Sequence, residues 1–279
     1  MTRYLRPRDL DDALGLLSDG GWTVLAGGTD HYPARAIRDP EEDVLDITAL
    51  PDLRGIERTA DGLRIGAAAT WRAVIDADLP GACDGLKAAA REIGGMQIQN
   101  RGTVGGNLCN ASPAADGVPV LLSLDAEVEI ASARGRRRLP LNRFVLGNRR
   151  TALEPDELLL AIHLPDSALD GAGRFLKLGA RRYLVISIVM VAGTMRLAAD
   201  GTIAAARLAV GACTAAAIRL TALETAVAGL APREAADALA DSHLADLTPI
   251  ADVRGDALYR QEAARTLVRR CLDDLAEAT

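Results

Sequence analysis

Gln97-Ile98-Gln99-Asn100-Arg101-Gly102-Thr103-Val104-Gly105-Gly106-Asn107-Leu108, running on through Ala111-Ser112-Pro113-Ala114-Ala115-Asp116, is the stretch on which the reading of this chain turns. It offers few apolar side chains to a core. Glycine loses more conformational freedom on folding than any other residue, so such a run is expensive to order unless something is gained. Thr103, Asn107 and Ser112 add side-chain donors and acceptors to the backbone amides of Val104, Gly105 and Gly106. Asp116, which only accepts hydrogen bonds when ionised, suits sugar hydroxyls better than phosphate oxygens.

Upstream lies a second glycine pair in Leu25-Ala26-Gly27-Gly28-Thr29-Asp30. It follows an apolar strand, Trp22 to Ala26, and precedes a helix expected to start at Thr29 or Asp30, either of which can cap it. Paired glycines between strand and helix let N–H groups converge on an anion. Alone, this loop reads as a tight strand-to-helix turn. Together the two loops favour a dinucleotide-type ligand. Neither GxGxxG nor GxxxxGK[ST] is present, which argues against Rossmann and P-loop sites.

The bulk numbers narrow the class. Of 279 residues 49% are hydrophobic and 25% charged, a composition that folds. No apolar run approaches the roughly 18 residues of a membrane span. The N-terminal residues lack the apolar core of a secretory signal, so the expected location is the cytoplasm. A formal net charge of −6 argues against general nucleic-acid affinity. The basic cluster Arg134 to Arg138 reads as a solvated hairpin tip. Cys83, Cys109, Cys213 and Cys271 form no CxxC pair, and His31, His163 and His243 are as dispersed, so no metal site is indicated.

An α/β rhythm opens the chain. Helix Asp9–Ser18 stops at Gly20-Gly21, and a strand is expected over Asp43–Thr48. From Gly55 hairpins take over, the first turning at Asp61-Gly62. Thr70 caps a short helix, and Leu79 to Ile93 reads as a longer one. Strands follow at Ala126–Ala131 and Leu158–Leu164. Beyond a polar segment, Pro165 to Gly173, the runs Val185–Leu197 and Ile203–Gly211 form an antiparallel pair. Three helices are then expected, over Arg219–Ala228, Pro232–Asp246 and Asp256–Ala278.

The two glycine motifs, with Phe175-Leu176-Lys177-Leu178-Gly179-Ala180-Arg181-Arg182, resemble in order and content the FAD-binding middle subunit of the xanthine dehydrogenase, carbon monoxide dehydrogenase and aldehyde oxidase family. The resemblance covers essentially the whole length. It implies an α+β fold: a two-lobed non-Rossmann FAD-binding domain of the vanillyl-alcohol oxidase/PCMH type, followed by a C-terminal domain of antiparallel strands and helices. The implied boundaries are 1–168, with lobes of about 1–54 and 55–168, and 169–279.

By position, the resemblance places Leu25, Ala26, Gly27, Gly28, Thr29, Asp30, His31 and Tyr32 around the FAD diphosphate. Thr103, Val104, Gly105, Gly106 and Asn107 would hold phosphate and ribose, with Ser112 beside them and Asp116 on sugar hydroxyls. Ile93 and Leu159 would lie against the ring systems, a place their residue types share with ordinary core. Lys177 would approach the flavin from the C-terminal domain. His31 and Tyr32 stand where the family often has simple apolar residues.

The implied role is electron transfer with no catalytic side chain in this chain. A molybdenum-cofactor subunit and a subunit with two-iron iron–sulfur clusters would be the partners, a heterotrimer the assembly, and a soluble acceptor the outlet. A self-contained reductase of similar fold would need a proton donor and basic groups for its own substrate, and no such constellation stands out. A flavin-free interaction module is the other alternative. The substrate of the complex and its acceptor are not written in these residues.

Overall fold

The computed structural model describes residues 2–35 and 42–279. The N-terminal lobe is a small parallel sheet. Strand β1 (Tyr4–Leu5) leads to helix α1 (Leu10–Asp19), then β2 (Trp22–Leu25) and β3 (Asp43–Asp46), in the order β1-β3-β2. Asp9 caps α1 by accepting from the Asp11 and Asp12 amides, and Gly20, at φ +76°, ends it. The face Leu10, Ala13, Leu14 and Leu17 is buried with Leu45, Ile47 and Leu53.

Among the described residues no α-helix directly follows Gly28: Tyr32 N–H bonds to the Gly28 carbonyl and Ala34 N–H to the Asp30 carbonyl, each at 3.2 Å, and a 3-10 turn spans Pro33–Arg35.

The second lobe is built on a five-stranded antiparallel sheet. The hairpin β4 (Ile56–Thr59) and β5 (Gly62–Gly66) pairs Ile56 with Ile65, as the Asp61-Gly62 turn predicts. Helices α2 (Trp71–Asp76), α3 (Asp84–Glu92), α4 (Met96–Gln99), α5 (Val104–Asn110) and α6 (Gly117–Ser123) come next. Thr70 caps α2 through the Ala73 amide, but the helix expected from Leu79 begins only at Asp84, because Pro80 opens a 3-10 turn at 81–83.

The hairpin β6 (Glu127–Ser132) and β7 (Gly135–Pro140) is followed by α7 (Leu141–Phe144), the small ribbon β8 (Val145–Gly147) and β9 (Arg150–Thr151), and β10 (Leu158–Pro165). The order β4-β5-β10-β6-β7 puts β10 at the centre and β7 at an edge. The arginines of this hairpin are exposed, as the sequence predicts, and pair with carboxylates at its surface. Arg134 pairs with Asp156, Arg136 with Glu129 and Arg137 with Glu157, which also keeps the edge from recruiting another strand.

A third sheet, β11 (Ala172–Leu178), β12 (Val189–Leu197), β13 (Ile203–Gly211) and β14 (Ile218–Arg219), is antiparallel in that order. Alternate residues of β12 serve two cores. Met190 and Ala192 join the second lobe's cluster, while Val189 and Val191 join the one closed by the last helix. Burial on both faces is why this run reads as continuously apolar.

Helix α8 (Thr221–Val227) and the long α9 (Ala257–Ala278) cover the outer face. Leu267, Cys271, Leu272 and Leu275 are buried there as the periodicity predicts, but Leu258 is 68% exposed. The helix expected over Pro232–Asp246 is instead two 3-10 turns, 232–234 and 241–244, split by extended backbone at Ala240. No helix among the described residues is long and apolar enough to cross a membrane.

Candidate functional site

The two glycine loops meet. A Cβ on Gly27 would stand 2.0 Å from the Arg101 carbonyl oxygen, and one on Gly102 would stand 3.3 Å from Thr29 Oγ1. Only a bare backbone allows this approach. Gly28 takes the left-handed φ of +73°, with the Tyr32 ring across it. Among the described residues, the N–H groups of Gly27, Gly28, Thr29 and Asp30 donate to no protein acceptor. Gly27, Gly28 and Thr29 are half-buried and Asp30 is exposed, so the unspent amides are within a ligand's reach, and N–H groups in such a row suit an anion.

The second loop is spent differently from the sequence expectation. Thr103 caps α5, its Oγ1 accepting from the Gly106 amide at 3.0 Å. Val104 N–H donates to the Ala69 carbonyl at 2.9 Å and Gly105 N–H to Ala67 at 2.8 Å, while Asn107 N–H closes the first helical turn on Thr103 at 3.1 Å. These amides hold α5 against the strand end at Ala67. What remains for a ligand is side chain. The Oδ1 atom of Asn107 is buried with no hydrogen-bond partner among the described residues, beside the Trp71 ring and Gly117. Val104 itself is fully buried core.

Ser112 forms a local turn, its Oγ accepting from the Ala114 amide at 3.3 Å. Asp116 then precedes α6 and is caught by the third sheet. Lys177 Nζ, on β11, bonds its Oδ2 at 2.6 Å and Ser187 Oγ its Oδ1 at 2.5 Å. The Lys177 and Asp116 side chains are 8% and 7% exposed. Burial pushes the Asp116 carboxyl above the ordinary carboxylate range, and Lys177 and Ser187 draw it back only in part.

The remaining expected positions divide. Leu25 is buried at the end of β2 and Ala26 packs against the first lobe's core. His31 Nε2 lies 3.8 Å from Glu42 Oε1, with its ring edge-on to Tyr32 at 5.0 Å between centroids. Tyr32 is 55% exposed. Ile93 is half-buried where α3 ends, and Leu159, on the central strand, sits in the same buried cluster as Val104 and Leu108.

Arg149, Asn110 and Ser187 escaped the sequence reading. Arg149 Nη1 bonds Asp30 Oδ2 at 2.6 Å and also Asn110 Oδ1, tying the first loop to the second lobe. A lone serine inside the apolar run that ends in β12 was the available signal for Ser187. Nothing local announces Arg149, whose partner Asp30 is 119 residues away.

Residues 1–167 match the family model described as FAD binding domain in molybdopterin dehydrogenase, and residues 174–275 match that of the CO dehydrogenase flavoprotein C-terminal domain. The chain belongs to this flavoprotein family. It is 34% identical to the xanthine dehydrogenase FAD-binding subunit of Escherichia coli O157:H7, over 99% of this chain and 96% of that one. The nicotine 6-hydroxylase medium subunit of Paenarthrobacter nicotinovorans is 32% identical over 99% and 98%.

Among solved structures, the carbon monoxide dehydrogenase of Hydrogenophaga pseudoflava that lacks the Mo-pyranopterin moiety superposes with a TM-score of 0.91 at 31% identity, covering 98% of this chain and 96% of that chain. The chain is thus an FAD-binding subunit of a molybdenum hydroxylase-type oxidoreductase, with the FAD-binding domain first and the C-terminal flavoprotein domain after it. Unspent amides on one loop and an orphaned amide oxygen on the other fit a dinucleotide cofactor.

Proposed function

We propose that this subunit receives electrons from iron–sulfur clusters on a partner and passes them to an external acceptor, through FAD held non-covalently between residues 1–168 and the facing edge of residues 169–279. FAD, when bound, takes and releases electrons singly or in pairs, which suits it to stand between one-electron carriers and a two-electron acceptor. The observation that carries the reading is the meeting of the two glycine loops with four amides unspent.

In this reading Leu25 through Tyr32 receive the diphosphate, the Gly27–Asp30 amides donating to it. Asn107 Oδ1 accepts from a ligand hydroxyl or amine, Thr103 and Ser112 line the adjoining wall, and Asp116 turns a remaining lone pair to sugar hydroxyls while Lys177 and Ser187 hold it still. Lys177 brings its charge from the C-terminal domain to the cofactor's edge. The substrate is bound by a molybdenum-cofactor subunit, and the complex, a heterotrimer or its multiple, works in the cytoplasm with a soluble acceptor.

The test is an absorbance spectrum of the purified chain, then heat release and identification of the cofactor. Near-stoichiometric FAD, with co-purification of metal-bearing subunits when the neighbouring genes are co-expressed, is the expected result. A chain that takes up no FAD, or one that turns over NADPH and a substrate unaided, would overturn the reading.

A further inference from the structure

The ribbon β8–β9 carries an arginine that the glycine loops alone do not call for. Arg149 sits at its tip with φ +57°, and its N–H donates at 3.0 Å to the carbonyl of Ala111, which itself has φ +47°. Two non-glycine residues in the left-handed region, bonded to each other, persist only where the surroundings over-determine them. Their effect is to carry the guanidinium to the first glycine loop.

There Nη1 bonds Asp30 and Asn110, while Nε and Nη2 meet no acceptor among the described residues, and the side chain is 56% exposed. An ion pair this exposed adds little to folding, so stability does not account for the strained backbone that builds it. The charge pattern does suggest a role. The carboxylate of Asp30 would repel a phosphate placed on its own loop. Arg149 cancels that charge and leaves a planar fork of donors beside four unspent amides.

We propose that Arg149 is a further binding residue for the FAD diphosphate, held at the loop's edge by Asp30 and Asn110; this rests on the FAD reading above. Asp30 and Asn110 fix the guanidinium through Nη1, and the free donors face the anion. The reach from the ribbon also closes the site, since residues 30, 110 and 149 come from three separate segments.

The experiment measures FAD dissociation from the full chain by fluorescence, together with competition by inorganic pyrophosphate, for the parent, Arg149→Met and Arg149→Lys. Loss of a charge-assisted contact to phosphate weakens FAD in Arg149→Met by about ten- to a hundredfold. Pyrophosphate competition weakens by a similar factor, Arg149→Lys recovers part of both, and the flavin-free melting temperature stays at the parent's. FAD affinity within twofold of the parent overturns the proposal. So does weaker FAD binding with pyrophosphate competition unchanged, which would make Arg149 a structural residue. A parent chain that takes up no FAD would instead bring down the functional reading itself.

Discussion

Lys177→Met leaves the Asp116 carboxylate 7% exposed, with Ser187 as its one remaining bonded partner among the described residues. Removing one member of a buried pair costs about 3–5 kcal/mol, where an exposed pair is worth roughly 0–1 kcal/mol. The burial of both side chains puts this pair in the first class. Against a total folding free energy of about 5–15 kcal/mol the loss is large. At its lower end, about 3 kcal/mol, it lowers the melting temperature by roughly 6–12 °C.

The loss also carries a pH signature. In the folded parent, burial already holds the Asp116 carboxyl above its ordinary 3.8, and Lys177 is the largest influence drawing it down. Without the lysine it rises further, while the unfolded chain keeps the ordinary value. A folded value above the unfolded one means that stability is full below the ordinary value and is lost as pH rises through the folded one. The deficit of Lys177→Met is therefore largest at neutral and alkaline pH and narrows toward the ordinary carboxylate value.

Urea unfolding of the flavin-free chain at pH 5 and pH 8, followed by Trp22 and Trp71 fluorescence, reads this directly. Asp116→Leu combined with Lys177→Met recovers most of the loss, because an apolar pair strands no charge. A loss at pH 8 no greater than the roughly 0.5 kcal/mol of an ordinary surface change would refute the argument. A deficit that widens toward acid would refute it too.

Other consequences follow from the same geometry. Asn107→Leu removes a buried acceptor that lacks a partner, so the flavin-free chain melts no lower than the parent while FAD titration shows binding weakened by about tenfold or more. Gly28→Val and Gly105→Val differ in how hard they strike the fold. The first places a β-branched residue at φ +73°, 2.9 Å from the exposed Tyr32 ring and 3.5 Å from Leu25, so it forfeits FAD and lowers the melting temperature in a chain that still folds; the second drives a Cβ within 2.7 Å of both Ala67 Cβ and its carbonyl oxygen, and circular dichroism shows an unfolded or strongly destabilised chain. Burial pushes the Cys83 and Cys271 thiols up to about 12 and Cys213 to about 11. Mass spectrometry after iodoacetamide at pH 8 finds these three unmodified until the chain is unfolded.

What the sequence made legible was local backbone chemistry. Asp9 and Gly20 bracket α1, Thr70 caps α2, and Asp61-Gly62 turns β4 into β5, each through a bond spanning a few residues. The two glycine loops were legible for the same reason. Misreadings arose where packing overrode propensity. The alanine-rich run from Pro232 to Asp246 has every incentive to be helical. It breaks at Ala240 so that Ala235, Ala236, Leu239 and Leu244 can all reach the core under α9. The partners chosen by Asp116 and Asp30 were invisible, because no periodicity links residues 61 and 119 positions apart.

The second glycine pair shows the fold engaging amides that the sequence leaves open. Read as sequence, Thr103 to Asn107 looked like a row of amides offered to phosphate. In the fold, Val104 and Gly105 give theirs to Ala69 and Ala67, and Gly106 gives its own to Thr103. Gly105 has no side chain because α5 must lie directly on Ala67, and Gly117 has none because Trp71 and Asn107 occupy that space. These glycines set the position of Asn107, whose side chain keeps an unspent acceptor, while the first loop keeps unspent donors. A ligand that satisfies both offers acceptors to one loop and a donor to the other, and the diphosphate and sugar hydroxyls of the FAD proposed here supply both.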